Sequence, residues 1–192
     1  QDKEAAPSLR RVQRVLEWGA PKEEERMTVD SFKYLPGSIA GYYRAMPAQR
    51  IEPIPWTPLK KPVAESRFAL VTTAGINVQG LEPGFDQDGE RRNPMWGDPG
   101  FRRIPRDTRQ EQFGAWHLHL NNRDILADVN IVLPINRFAE LEAEGTVGSL
   151  APTCYSFMGY QMDLTEWREK YAPEVAGLMK DEAVDAVLLT PA

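Results

Sequence analysis

Arg67-Phe-Ala-Leu-Val-Thr-Thr-Ala-Gly75 is the stretch from which the rest of this chain is read. Phe68 to Thr72 is a short apolar run without alternation, the pattern of a strand buried on both faces of a parallel sheet. Ala74-Gly75 stands where such a strand ends at its ligand-facing edge. Val184-Asp-Ala-Val-Leu-Leu-Thr190 repeats the pattern and is preceded by a helical stretch. Between them, Ala115-Trp-His-Leu-His-Leu120 alternates with period two and suits a strand. Ile131-Val-Leu133 is brief and apolar. Arg137 to Glu144 has a helical pattern with Phe138 and Leu141 inward, and Gly145 follows as its stop. Asp163 with Glu166 resembles a capping box for a helix reaching about Tyr171, where Pro173 starts or kinks the next segment. Strand, loop and helix in alternation predict an α/β fold, a parallel sheet in Rossmann-like or flavodoxin-like layers.

The N-terminal third reads differently. Ser8 can cap a helix whose Leu9, Val12, Val15 and Leu16 fall at helical spacing and which ends at Gly19, and Glu23, Glu24 and Glu25 suit a solvated first turn of a second helix. Pro47, Pro53, Pro55, Pro58 and Pro62 forbid a helix and withhold sheet donors. The expected organisation is a helical arm over 1–46, a proline-rich extended connector over 47–66, and an α/β domain over 67–192. Residues 1–65 carry 11 basic and 9 acidic side chains, against 12 and 19 in the remainder.

Composition narrows the function classes. At 192 residues with 42% hydrophobic content, the chain can bury a core without a metal or disulfide staple. Its single cysteine, Cys154, excludes an intrachain disulfide or a Cys-x-x-Cys pair within the sequence. A net charge of −5 argues against nucleic acid as the main partner. No apolar run approaches the ~20 residues that span a bilayer, so no membrane partner and a cytoplasmic setting are expected.

Two stretches without charge, Phe68 to Leu81 and Gly145 to Met162, are rich in Gly, Thr and Ser, as expected where backbone approaches a ligand. Thr72, Thr73 and Gly75 fall at the exit of one expected strand and Thr190 at that of another, the edge where parallel sheets bind ligands. The only histidines form His117-x-His119. On a strand they would share a face, with α-carbons roughly 6.6 Å apart. That spacing serves either a zinc or iron site completed by Cys154 or Asp128, or substrate contacts, or structural hydrogen bonds. Cys154 reads either as a small buried hydrophobe or as a nucleophile activated from elsewhere in the fold. Arg103 and Arg106, on a turn-rich loop after Asp98-Pro99-Gly100, suit a carboxylate or a solvated loop. No P-loop, G-x-G-x-x-G, G-x-S-x-G or H-E-x-x-H pattern occurs.

From about Ala69 onward the chain resembles the selenoprotein B subunit family of the glycine, sarcosine and betaine reductases, which includes the D-proline reductase subunit. The resemblance is carried by Leu70-Val-Thr-Thr-Ala-Gly-Ile76, Gly97-Asp98-Pro99 with Phe101-Arg102, Ile104-Pro-Arg-Asp-Thr108, His117-x-His119, Asp128 with Asn130, and Pro134. It continues in Gly148-Ser-Leu-Ala-Pro-Thr-Cys-Tyr-Ser-Phe-Met-Gly-Tyr160 and Val184 to Pro191. It implies a short, cysteine-type relative of reductases that cleave a carbon–nitrogen bond with two electrons delivered by a partner protein. Cys154 stands where similar sequences carry His. Family members continue past the last strand into a cysteine-bearing turn, so the domain is expected either to be incomplete at its C-terminus or to lack the dithiol machinery. The combined expectation is an oxidoreductase subunit acting on a small nitrogen-containing or carboxylated metabolite. Cys154, His117 and His119 are its catalytic candidates, and Thr72, Thr73, Gly75, Arg103, Arg106, Tyr155, Ser156 and Gly159 its substrate contacts. An electron-donor protein and further copies of the chain are the expected partners. A metal-dependent enzyme and a non-catalytic oligomeric binding subunit are the alternatives.

Overall fold

The computed structural model of the chain describes residues 31–45, 57–93, 96–118 and 120–192. It divides into two compact units, Gln1–Pro55 and Trp56–Ala192. In the first, a 3-10 turn at Ser31–Tyr34 leads to helix α1, Gly37–Ala45. Here Phe32 stacks on Tyr43 with ring centroids 6.4 Å apart. The helices expected between Ser8 and Glu25 and most of the connector lie outside the described residues.

The second unit is built on β1, Arg67–Thr72. After it come β2 (Ile76–Val78), α2 (Gln87–Arg92), β3 (Phe101–Pro105), β4 (Phe113–Ala115), α3 (Asn122–Ala127), α4 (Ile135–Ala143), β5 (Ser149–Leu150), β6 (Thr153–Phe157), α5 (Ala172–Asp181) and β7 (Ala186–Thr190). β7 runs parallel to β1 in register from Phe68↔Ala186 to Thr72↔Thr190. On the other edge of β1 lie β5 and then β6, both parallel, with Arg67 opposite Ser149 and Val71 opposite Tyr155. They form one strand path interrupted at Ala151-Pro152, because proline has no N–H for the ladder. There the Pro152 carbonyl accepts from the Arg106 N–H at 2.9 Å. β3 closes that side antiparallel to β6, from Phe101↔Phe157 to Pro105↔Thr153. The result is the expected α/β architecture around a mostly parallel sheet.

Each face of the sheet carries its own apolar cluster. On one, Ala69, Tyr155 and Phe157 pack against Val175 and Met179 of α5. On the other, Leu70, Ile104 and Cys154 pack against the β2–β4 ribbon and against Ile125, Ile135 and Phe138 from α3 and α4. The strict alternation along β6 separates the two clusters: Cys154, Ser156 and Met158 face the ribbon, and Tyr155 and Phe157 face α5. Gly145, with φ of 72°, stops α4 in the left-handed conformation that favours glycine. Before α5 the helix opens into a wide π turn at Trp167–Tyr171. Pro173 cannot supply the next i→i−4 donor, which accounts for the kink expected there.

Two sequence expectations are corrected. The alternating run from Ala115 to Leu120 is not a strand: β4 ends at Ala115, and His117 follows in a turn. His119 lies outside the described residues. The loop carrying Arg103 and Arg106 contains a sheet strand, and Arg106 works within the fold. Its guanidinium donates to both carboxylate oxygens of Glu142 on α4 and to the Leu150 carbonyl, while Glu142 accepts the Leu150 N–H. The Arg106 guanidinium, foremost, holds the Glu142 carboxyl below its ordinary range.

In this half-exposed setting the Arg106–Glu142 pair and its bond to the Leu150 carbonyl together contribute on the order of 1.5–3 kcal/mol. Arg106→Ala is expected to lower the melting temperature by about 5 °C at neutral pH. A depressed carboxyl stabilises above its unfolded value of about 4.3 and loses that contribution as pH falls through the folded value. The gap between wild type and R106A measured by thermal melts should therefore narrow below about pH 4; a gap independent of pH would contradict the assignment. Burial pushes the Cys154 thiol up to about 12. Iodoacetamide at pH 8 should accordingly label it only after denaturation, and rapid labelling of the native protein followed by mass spectrometry would refute this.

Candidate functional site

The carboxyl ends of β1 and β6 meet in a crossing of backbone bonds. After Thr72 the chain turns sharply, with the Ala74 N–H bonded to Thr72 Oγ1, so that the Gly75 N–H donates to the Phe157 carbonyl at 3.0 Å. The Gly159 N–H donates back to the Thr73 carbonyl at 2.8 Å. Gly75 takes φ of 64°, a left-handed conformation that steers β2 off the sheet. The Trp116 N–H then bonds the Gly75 carbonyl at 3.1 Å. This fixes the next residue, His117, whose own carbonyl accepts from the Asn122 side chain at 3.1 Å.

His117 is thereby brought to the exit edge of the sheet. A Cβ at Gly159 would lie 3.1 Å from His117 Nε2 and 2.9 Å from the Thr73 carbonyl oxygen. A Cβ at Gly75 would collide with Met158. Two glycines thus allow backbone and imidazole to crowd together where a parallel sheet binds its ligands. Tyr160 follows at φ of 59°, strained for a non-glycine residue. Gln161 ties this segment to the Trp96–Asp98 loop by donating to the carbonyls of Asp98, at 3.1 Å, and Met158, at 3.2 Å.

An open cleft of about 240 Å³ lies between these segments, bordered by Asn93, Trp96, Pro99, Gln161, Asp163 and Glu166. A separate recess of about 10 Å³, room for one water-sized group, shares Trp96 and Gly97 with the cleft, and its walls include Glu90, His117, Gly159 and Tyr160. None of the lining residues of either space is Lys or Arg. A larger hollow of about 440 Å³ sits on the α5 face between Val71, Phe157, Trp167 and Leu189, but no titratable side chain lines it. A further hollow of about 430 Å³ is lined by Glu82, Asp98, Arg102, Arg103 and Glu174, where Arg102 pairs with Asp98 and Arg103 with Glu82, whereas the cleft and the recess lie beside His117 and the glycine crossing.

Of the expected site residues, the structure assembles Gly75, His117 and Gly159, with Thr73 at their edge. Thr73 joins the exits of β1 and β7, donating to the Ala192 carbonyl and accepting its N–H. Thr72 is buried in the turn, and Ser156 is buried with its hydroxyl accepting the Ile76 N–H. Tyr155 points to the opposite face, in the α5 cluster, its phenol pushed up to about 12 by burial. Arg103 is largely exposed, its Nε 3.8 Å from Glu82.

Cys154 is fully buried among Leu70, Ile104 and Leu150. It precedes Met158 by four strand residues, roughly 13 Å of extended chain. It lines neither the cleft nor the recess, and its desolvated thiol is held protonated, so its placement argues against the nucleophile expected from sequence. Among the described residues no group of three or more His, Cys, Asp and Glu is arranged to hold a metal ion. Asp128 instead caps the 3-10 turn at Val129–Ile131, accepting from the backbone and side chain of Asn130. The zinc or iron alternative thus loses its geometric basis in Cys154 and Asp128. Glu90, Trp96, Tyr160, Asp163 and Glu166 were not among the expected contacts. Glu90 lies among charged neighbours in Gln87-Asp-Gly-Glu-Arg-Arg92, and nothing in that stretch distinguishes it from them.

Comparison with known proteins agrees with the architecture. The sequence profile of the glycine/sarcosine/betaine reductase selenoprotein B (GRDB) family matches residues 37–192. The D-proline reductase subunit gamma of Acetoanaerobium sticklandii is 36% identical over 135 residues, covering 70% of this chain and 52% of that protein. The glycine reductase complex component B subunit gamma of Symbiobacterium thermophilum is 27% identical over 190 residues, covering 99% of this chain and 43% of its own length. Its counterpart in Carboxydothermus hydrogenoformans is 26% identical over 169 residues, with 87% and 38% covered. The chain thus spans about half or less of the curated relatives it matches. No solved structure matches it. Among the described residues no helix is long and apolar enough to cross a membrane. With the profile covering most of its length and its stretches falling on the crossing that builds the cleft, the chain belongs to the glycine/sarcosine/betaine reductase selenoprotein B family.

Proposed function

We propose that this chain forms the amine-binding part of a reductase-complex subunit, holding a small nitrogen-bearing metabolite in the cleft between the Trp96–Asp98 loop and the Met158–Gln161 segment. The observation that carries this reading is the character of the lining: Trp96, Asp163 and Glu166 face the open space, with no basic side chain among their neighbours. Carboxylates with an indole suit a cationic amine by charge and by the negative face of the ring. They do not suit an isolated carboxylate, and Arg106 is committed to Glu142. The curated relatives are named for D-proline and glycine, both amines.

His117 supplies the proton chemistry. Its Nε2 faces the exit edge, where it can hold the substrate's nitrogen or exchange a proton with the amine that departs. Reductive cleavage of a protonated C–N bond consumes two electrons and one further proton: the bond breaks, carbon gains C–H, and the amine leaves neutral. Cys154 is a poor source of those electrons, because it is buried and a single thiol cannot close its own disulfide. We assign them to the thiol chemistry of a partner component, in keeping with relatives that are subunits of reductase complexes.

The test is calorimetric titration with glycine, sarcosine and D-proline alongside their uncharged N-acetyl amides. At least one free amine should bind saturably and its acylated form should not. His117→Ala and Trp96→Ala should each weaken binding about tenfold, about 1.4 kcal/mol, with circular dichroism unchanged. Equal binding of charged and uncharged forms, or no saturable binding of any of them, would overturn the reading.

A further inference from the structure

Glu90 lines the recess and has no part in the reading above. It lies on α2, whose N-terminus is fixed by Asp86 accepting the Gly89 N–H at 2.9 Å. The side chain is turned inward, with the residue only 3% exposed. One carboxyl oxygen is accounted for by the Asp98 N–H. The other, Oε1, is buried and has no hydrogen-bond partner. An orphaned buried carboxyl oxygen is costly unless something meets it. Glu90 lines a space of about 10 Å³ that shares Trp96 and Gly97 with the neighbouring cleft.

We propose that Glu90 is the counter-charge of the recess, the group that receives the head of an unsubstituted ammonium ligand of the neighbouring cleft. The inference rests on the amine reading above and deepens it in two ways. A space for one water-sized group admits –NH₃⁺ and excludes a trimethylammonium head, so the recess selects by substitution at nitrogen. It also couples binding to a proton. Burial, foremost, with the charges of Asp98 and Asp86, pushes the Glu90 carboxyl up to about 7 against the opposing Asp98 N–H. In the empty recess near neutral pH much of Glu90 is therefore the neutral acid, and an arriving ammonium converts it to the carboxylate with release of that proton to solvent.

The groups around Glu90 set the sign. Asp86 on its own helix and Asp98 on the facing loop repel the carboxylate, and Arg102 on β3 offsets Asp98 through an ion pair at 2.9 Å. His117 and Tyr160 share the recess from the other side. Ammonium affinity should rise as pH rises through 7, because Glu90 ionises. His117 and Tyr160 remain in place in Glu90→Gln, so comparing that variant with wild type isolates Glu90.

The experiment uses methylammonium and tetramethylammonium chloride as probes, titrated calorimetrically into wild type and Glu90→Gln at pH 7 in phosphate and in MOPS, neither of which carries a primary ammonium. Their different ionisation heats report protons released. Wild type should bind methylammonium with release of about half a proton, and tetramethylammonium at least tenfold more weakly. E90Q, isosteric with the neutral acid, should retain its melting temperature, lose at least tenfold in methylammonium affinity and release no proton from this position. Buffer-independent heats in wild type, or E90Q binding with unchanged affinity, would overturn the counter-charge and leave Oε1 facing an ordered water. That result is distinct from failure of the amine reading, in which neither probe nor any amine binds and both proposals fall.

Discussion

The pair of backbone bonds at Gly75 is the constraint on which the site depends. Its N–H is held by the exit of β6 and its carbonyl by Trp116, so the two peptide units flanking one residue fasten β1, β6 and the β2–β4 ribbon together. A left-handed turn makes that double attachment possible, and Met158 fills the space a side chain would need. Remove it and β2 has no reason to leave the sheet at that point. His117, two residues beyond the end of β4, would lose its position relative to Gly159. The parallel sheet determines where a ligand edge exists, and the glycine crossing determines which side chain stands there.

The sheet was legible where burial was two-sided. β1 is an unbroken apolar run because it is central, and helix α4 showed its stop because Gly145 must take a positive φ. β7 was read by the same rule although Leu189 is 67% exposed, since its apolar sequence follows the parallel pattern even on an open edge. β3 was missed because an edge strand holding Arg102 and Arg103 lacks that pattern. Its guanidiniums turn outward to backbone and carboxylate partners, with Arg102 reaching the Pro83 and Gly84 carbonyls. The His-x-His spacing misled for the opposite reason. Alternation continued through Leu120, but the Gly75 carbonyl captures the Trp116 N–H, and ladder pairing with β2 ends at Ile76↔Ala115.

The site was half legible. Small uncharged residues stand at the strand exits where backbone and imidazole crowd together, because a side chain at Gly75 or Gly159 would collide there. The acidic wall was not visible, because Glu90 is far in sequence from Asp163 and Glu166, and those two read as a capping box at a helix start. Their meaning arises only when the Gln161 amide bridges the two loops and places a strained Tyr160 beside the recess. Strain of that kind persists where surrounding contacts over-determine it.

Two buried ionisable groups on this side of the sheet have been moved in the same direction by desolvation, and the magnitudes separate their roles. A thiol at about 12 is ionised at neutral pH in roughly one molecule in 10⁵, too few for a resting nucleophile. A carboxyl at about 7 is balanced between its two forms, so a modest change in its surroundings transfers a whole charge. Cys154 sits in apolar packing with no opening; Glu90 borders a space that can receive a partner. The same physical cause therefore yields a structural residue at the start of β6 and a responsive one at the exit edge.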